Sequence, residues 1–457
     1  MNDAIAAIST GLVPAGIGIV RVSGEDALFV ADAVFESPSG RKLQDAKGNT
    51  IHYGHIVFGG ETLDEVLVTV LRAPHSYTGE DTAEINCHGG IMAVRKVLEA
   101  VIKSGARPAE PGEFTKRAYL NGRIDLSQAE AVMDVISSGS EYALKNAMNQ
   151  LKGDLGKKID GIRSSLLHEL AFIESALDDP EHYSLEGYGE TLYPHIEELQ
   201  KKTEKLLSSF EEGRFIEEGI KTVILGKPNV GKSSLLNRLT GTDKAIVTDI
   251  PGTTRDLLEE TISMKGFALK IIDTAGLRDS ADPIEKIGVE RAREKAAEAD
   301  LILYIADASK GMDEEDREIL KMTSGRKAVF LINKIDLPDR RIFTEDVRQE
   351  ISCPVLEISA KENKGIEQLK ETIEEMFFRG ELNFNDEVYI TNARHKNLLD
   401  AAYASLENVK KSIENNMPED FFSIDIAGAI QSLDAITGGD ISEDLADEIF
   451  SKFCMGK

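Results

Sequence analysis

The stretch Lys221-Thr-Val-Ile-Leu-Gly-Lys-Pro-Asn-Val-Gly-Lys-Ser-Ser-Leu-Leu-Asn237 runs from an apolar strand through a glycine-bearing turn into a helix. Its centre, Gly226 to Ser233, fits G-x-x-x-x-G-K-[ST] in the strand–turn–helix setting that this motif needs. Glycines let backbone N–H groups curl around a β-phosphate, and the helix N-terminus adds its dipole. Lys232 would then reach the β- and γ-phosphates, and the Ser233 hydroxyl would ligate magnesium. Asn229, Val230, Gly231 and Ser234 complete the cradle. The bland alternative is a glycine-rich turn that holds no ligand, so the reading depends on what lies downstream.

Downstream, from 216 to 380, apolar strands alternate with amphipathic helices: KTVILG, ALKIID, LILYIADAS, AVFLINK and PVLEISA. That alternation predicts a mostly parallel sheet with helices on both faces. Asn333-Lys334-Ile-Asp336 ends the next-to-last strand. A carboxylate accepts two N–H donors from a guanine edge but meets one donor and one acceptor on adenine, so Asp336 favours GTP over ATP. Asn333 and Lys334 would brace the loop, and Ser359, Ala360 and Lys361 would close over the base. Asp273-Thr274-Ala275-Gly276 follows an apolar strand and reads as a γ-phosphate sensor. In many such proteins a Gln comes next and orients the attacking water. Here Leu277 stands there, and its side chain can neither donate nor accept a hydrogen bond. Glu285 is a plausible acceptor to replace it; the competing reading is a solvated carboxylate at a helix start. Arg255 and Arg278 are in reach by sequence as charge-neutralising fingers.

The flanks differ in texture. Residues 1–120 mix short β-rich runs with Gly/Pro connections and one helical pattern, an α+β reading. Residues 121–215 turn helical, with a stripe at Ile159, Ile162, Leu166, Leu170, Ile173 and Leu177 read as core, and SQAE at 127–130 in capping-box form. Helical texture resumes over 381–457. The expected organisation is an N-terminal α+β domain and a helical domain interrupted by an inserted α/β phosphate-loop domain. Of 457 residues, 41% are hydrophobic and 29% charged, ordinary for a globular chain. No apolar run approaches the ~20 residues that span a bilayer, and no basic-then-apolar leader opens the chain, so a cytoplasmic protein off the membrane is expected. Cys87, Cys353 and Cys454 are too few and too scattered for a disulfide framework or zinc site. Cys87 beside His88 suggests a pair, but strand neighbours face opposite ways. Net charge is -27, split as -4 over 1–120, -14 over 121–380 and -9 over 381–457. A protein that tracks phosphates usually shows a basic face, so any RNA contact here needs a local patch or a partner.

Together with Thr248-Asp249-Ile250-Pro251-Gly252-Thr253-Thr254-Arg-Asp256, these motifs resemble the GTPase superfamily that includes Era. Within it, "SYTGEDTAEINCHGG" at 76–90, "PGEFTKRAYLNGRIDLSQAEA" at 111–131 and the terminal "FCMGK" resemble the MnmE (TrmE) family of tRNA-modification GTPases, over essentially the whole chain. The resemblance implies an N-terminal domain that binds (6S)-5-formyl-tetrahydrofolate or a related folate and forms a homodimer. It implies a heterotetramer with the flavoprotein MnmG that modifies carbon 5 of wobble uridine in certain tRNAs. It points to Glu285 as general base through bridging water, and to potassium in place of an arginine finger. Asn229, Thr248, Ile250 and Thr253 match its potassium ligands, and Ser233 with Thr254 its magnesium ligands; Asp249, Pro251 and Gly252 lie in the same nucleotide loop. The matching folate positions are Arg21, Glu84, Arg123 and Lys457; the family also uses Lys at the Arg123 position. A carboxylate suits an N–H-rich pterin edge and cations suit a glutamate tail. Cys454 is a catalytic candidate that competes with a packing role, and Met455 stands where the family usually has Ile. The rival reading, an Era-like protein docking on ribosomal RNA, calls for a basic domain after the G domain, against the -9 found there.

Overall fold

The computed structural model describes residues 3–242, 260–264, 266–272, 294, 296–378, 388–439 and 442–457. They divide into two compact units, one of residues 1–133, 156–163 and 431–457, the other of 134–155 and 164–430.

In the first unit, strands β1 (Ile5–Ile8), β2 (Ile17–Ser23), β3 (Phe35–Glu36), β4 (Thr50–Phe58), β5 (Glu61–Leu71), β6 (Thr82–His88) and β7 (Arg107–Pro108) form one sheet in the order β3-β4-β5-β6-β2-β1-β7. Its pairings are antiparallel except β1 with β7. Alternate residues turn inward, as expected for a sheet covered on one face. Val20, Val22, Val66, Val68, Val70 and Ile85 pack with Val94, Val97 and Val101 of the helix Ile91–Lys103. Cys87 is buried on that face, where burial pushes its thiol up to about 11, while His88 points out to Asp64. No Cys/His pair forms. The unit closes with the helix Glu443–Ser451, whose Ala446 and Phe450 join Leu126 and Ala129 of the helix Leu126–Ser137. Arg163 pairs with Asp434, Lys116 with Asp447, and the Tyr119 hydroxyl donates to the Gly438 carbonyl at 2.6 Å.

The capping motif lies two residues upstream of SQAE. Asp125 accepts from the Gln128 N–H at 2.8 Å, and the Gln128 side chain accepts from the Asp125 N–H at 3.0 Å. Asp is as good an N-cap as Ser, and Leu126 is already helical, so Ser127 falls inside the first turn. Of the six-residue stripe, Ile159, Ile162, Leu166 and Ile173 are buried, but Leu177 is 43% exposed. Ala176 takes the inward position of the last turn instead.

In the second unit, β8 (Ile220–Leu225), β9 (Glu260–Met264), β10 (Phe267–Ile271), β11 (Leu301–Asp307), β12 (Ala328–Asn333) and β13 (Val355–Glu357) stand in the order β13-β12-β11-β8-β10-β9. All pairs are parallel but β9 with β10. Every residue of β11 and β12 is buried, the mark of strands covered on both faces. Ile224, Leu303, Ile305, Val329 and Leu331 pack on one side with Leu235, Leu239 and Leu369; Val223, Ile302, Tyr304 and Phe330 pack on the other with Ile319 and Val347. The inserted α/β domain is thus present. Its helical surround joins the two sides of the insertion. Asn146 and Gln150 donate to the Tyr389 carbonyl, and Gln200 bonds Glu407 at 2.7 Å.

Glu217, on the helix Phe210–Glu218 that leads into β8, has a buried Oε2 with no hydrogen-bond partner among the described residues. Burial, then the charges of Asp134 and Glu218, push its carboxyl up to about 8, against the opposing pull of Lys270. The fold therefore binds a proton that the unfolded chain releases between about pH 4.5 and 8, and stability falls as pH rises through that window. Glu217→Gln removes this penalty, on the order of 4 kcal/mol at pH 8. Thermal melts across pH 5 to 8 should show the variant gaining on the parent by roughly 5–10 °C; parallel curves would refute the assignment.

Candidate functional site

Two constellations emerge, one in each unit. In the second, the turn after β8 stands beside the C-terminal ends of β11 and β12. Strand order reverses at β8, where open α/β sheets take ligands. Gly226 has φ 146 and Gly231 φ 109. A Cβ on Gly226 would lie 2.3 Å from the Ile305 carbonyl oxygen, and one on Gly231 2.2 Å from Asn333 Nδ2. Only glycine fits either place. Asn229 itself sits at φ 65, left-handed backbone that Asn tolerates better than most residues. Lys232 opens the helix Lys232–Thr242, and its Nζ lies over the loop on the carbonyls of Gly226, at 2.7 Å, and Lys227. Ser233 follows it in the first helical turn, with Ser234 exposed.

The loops over 333–336 and 359–361 are tied to this cradle. Asn333 Nδ2 donates to the Val230 carbonyl at 2.8 Å while its Oδ1 accepts the Ala360 N–H at 3.1 Å. Lys334 donates to the Asn229 carbonyl at 2.7 Å. The Ser359 hydroxyl donates to Asp336 Oδ1 at 2.7 Å, and this bond first, then Lys361 and Lys364 nearby, holds the Asp336 carboxyl below the usual range. Asn229, Val230, Asn333, Lys334, Asp336, Ser359 and Ala360 are thus brought together in one connected set. Thr248, Asp249, Ile250, Pro251, Gly252, Thr253, Thr254, Asp273, Thr274, Ala275, Gly276, Leu277 and Glu285 lie outside the described residues.

Three sets of supporting contacts reach the site from residues outside its motifs. Arg238, two turns along the helix, donates to the carbonyls of Ala360 and Lys361. Lys227 is pinned by Asp313 and by Asp316 at 2.8 Å, and the bond to Lys227 first holds the Asp313 carboxyl at about 2. Asp307, at the end of β11, pairs with Lys334 at 2.7 Å.

In the first unit, β2 and β6 set Arg21 opposite Glu84. Arg21 Nε and Nη2 both reach Glu84 Oε1 at 2.9 Å, and its guanidinium lies over the Tyr77 and Phe114 rings. Arg21 Nη1 is buried with no partner among the described residues. A buried guanidinium N–H left unmet costs free energy unless a further acceptor arrives. Arg123 lies over the same Tyr77 ring, 5.1 Å from its centroid, and donates to the Tyr77 carbonyl. Lys457 is half-buried; burial first, then the Arg21 charge, lowers its pKa against Glu84 and Cys454. The last residues are held by backbone. The Ser9 hydroxyl donates to the Gly456 carbonyl at 3.1 Å, Gly112 N–H to the Cys454 carbonyl at 3.4 Å, and Gly456 at φ 86 passes so close that a Cβ would meet the Ile8 carbonyl oxygen at 2.2 Å. Arg21, Glu84, Arg123, Lys457 and Cys454 belong to the same unit.

A parallel sheet whose central strand feeds a phosphate loop, braced by Asn-Lys-x-Asp and Ser-Ala-Lys loops, defines a phosphate-loop GTPase domain. The model of the MnmE helical domain matches residues 126–454, and that of the GTP-binding protein TrmE N-terminus matches residues 4–123. The chain belongs to the MnmE family of tRNA modification GTPases. The tRNA modification GTPase MnmE of Lachnoclostridium phytofermentans is 54% identical over 457 residues, covering 100% of both chains. That of Acetivibrio thermocellus is 50% identical over 458 residues, covering 100% of this chain and 99% of the relative. Among solved structures, the G domain of the T. maritima FeoB iron transporter is 29% identical over 34% of this chain and 97% of that one, with a TM-score of 0.26. No helix among the described residues is long and apolar enough to cross a membrane.

Proposed function

We propose that this chain hydrolyses GTP to drive modification of carbon 5 of wobble uridine in certain tRNAs, as a cytoplasmic homodimer joined to the flavoprotein MnmG. The observation that carries the reading is full-length likeness to MnmE relatives in a chain whose Asp336 is bonded to Ser359 beside the Gly226–Ser233 loop. In this reading Asp336 takes the guanine edge, Lys232 the β- and γ-phosphates, and Thr274 to Gly276 the γ-phosphate. Ser233 and Thr254 would hold magnesium. Asn229, Thr248, Ile250 and Thr253 would hold potassium; neutral oxygens suit a large monovalent ion, whose charge then offsets that developing on the phosphate. Glu285 orients the attacking water through a bridging water, the task that Leu277 cannot perform.

The first unit fits a folate. Arg21 Nη1 supplies an unmet buried donor, Glu84 a carboxylate for a pterin edge, and Arg123 and Lys457 cations for a glutamate tail. When bound, the folate supplies a one-carbon unit. Cys454 lies in the same unit as these groups, a placement compatible with either a chemical or a packing role.

GTP turnover measured in potassium and in sodium at several protein concentrations tests the switch. Turnover should be faster in potassium and should rise more than linearly with protein as G domains pair. Equal rates would remove both ion and dimer. Mass spectrometry of wobble uridines in cells with and without the protein tests the product; an unchanged profile would refute it.

A further inference from the structure

We infer that Asp307 is a positioning residue for guanine-nucleotide binding, acting through Lys334 on the backbone of the phosphate loop; this rests on the nucleotide reading above. Asp307 is the last residue of β11, with a side chain only 3% exposed. One oxygen accepts the Ser309 N–H at 3.0 Å and hydroxyl at 2.7 Å; the other meets Lys334 Nζ at 2.7 Å. The same ammonium donates to the Asn229 carbonyl at 2.7 Å. Burial pushes the Asp307 carboxyl up, but Lys334 and Ser309 outweigh it and keep it ionised.

Both ends of this bridge are conformationally costly. Lys334 has φ 67 and Asn229 φ 65. Residues without glycine's freedom hold such backbone only where their surroundings impose it. On one side of Lys334, Asn333 grips Val230 and Ala360; two residues on, Asp336 holds Ser359. The buried carboxylate is therefore the fixed point from which one ammonium sets the spacing between base-reading loop and phosphate loop. Preorganised loops bind their ligand without first losing conformational freedom. A merely stabilising ion pair would act on the melting temperature and leave nucleotide affinity alone.

Asp307→Asn keeps the shape and the Ser309 bonds but turns an amide N–H toward Lys334 and removes the charge that holds it. Binding of fluorescent GDP to the full chain should weaken roughly 10–50-fold, and KM for GTP should rise by a larger factor than kcat falls. Asp307→Glu, which restores the charge at a longer reach, should recover part of the affinity. Unchanged GDP affinity with a lowered melting temperature would overturn the inference. Failure of the parent chain to bind GDP would instead overturn the nucleotide reading beneath it.

Discussion

Asp336→Asn is expected to cost roughly 100-fold or more in affinity for GDP and GTP and to give xanthosine nucleotides the advantage. A buried site built to pair a given hydrogen-bonding edge rejects an edge that leaves its groups unmet by factors of this size. The guanine edge offers two N–H donors, and an ionised carboxylate accepts both. An amide presents one acceptor and one donor, so it meets the exocyclic amine with N–H against N–H. Xanthine carries a carbonyl at that position and complements the amide. The rest of the loop survives the change, because Ser359 donates to Oδ1, an oxygen that Asn retains. Titrations with GDP and XDP decide the matter: an unaltered preference for GDP would show that Asp336 does not read the base.

The second large effect is expected at Lys232. Lys232→Ala should lower kcat/KM for GTP hydrolysis by about 1,000-fold, the scale on which a preorganised charge at a reacting phosphate contributes. The change removes the bonds from Lys232 Nζ to the Gly226 and Lys227 carbonyls, but the loop keeps its other supports. Its course is set by glycines at 226 and 231, whose Cβ positions are filled by Ile305 and Asn333 atoms, and by the bonds from Asn333 and Lys334. The melting temperature should therefore change little while turnover collapses. Lys232→Arg should not rescue, since a planar fork does not replace a compact ammonium. Turnover within a few-fold of the parent would remove Lys232 from the chemistry.

How far the sequence speaks depends on what kind of information each element needs. LILYIAD and AVFLIN are legible as doubly covered strands because uninterrupted apolar runs of that length have few other homes. β4 is not: in Thr50–Phe58 two histidines and Gly54 break the pattern. Gly54 is there because a Cβ would strike the Glu36 carbonyl at 2.4 Å and the Phe35 ring at 2.5 Å, a long-range fact invisible locally. Capping is ambiguous by two residues when Asp125 and Ser127 both qualify and only tertiary placement chooses. Of the candidate nucleotide site, the residues proposed to meet the ligand sit in linear motifs and are readable. Asp307, Arg238, Asp313 and Asp316 are not, since their partners come from other elements. The proposed one-carbon site combines positions 21, 84, 123 and 457; only family likeness gathers them in advance.

The first unit is closed by residues from both far ends of the sequence. Tyr119 and Gly438, bonded to each other, are 319 residues apart. On a ribosome adding 5–20 residues per second, that separation is roughly 15–60 s of synthesis. Through that interval Leu126 and Ala129 lack Ala446 and Phe450, while the intervening α/β domain has its last strand once Glu357 is made. The nascent protein thus finishes its middle before its beginning, with an apolar surface waiting for a cover. Slowing elongation, or withdrawing the chaperones that shield such surfaces, should depress its yield more than that of a protein assembled in sequence order.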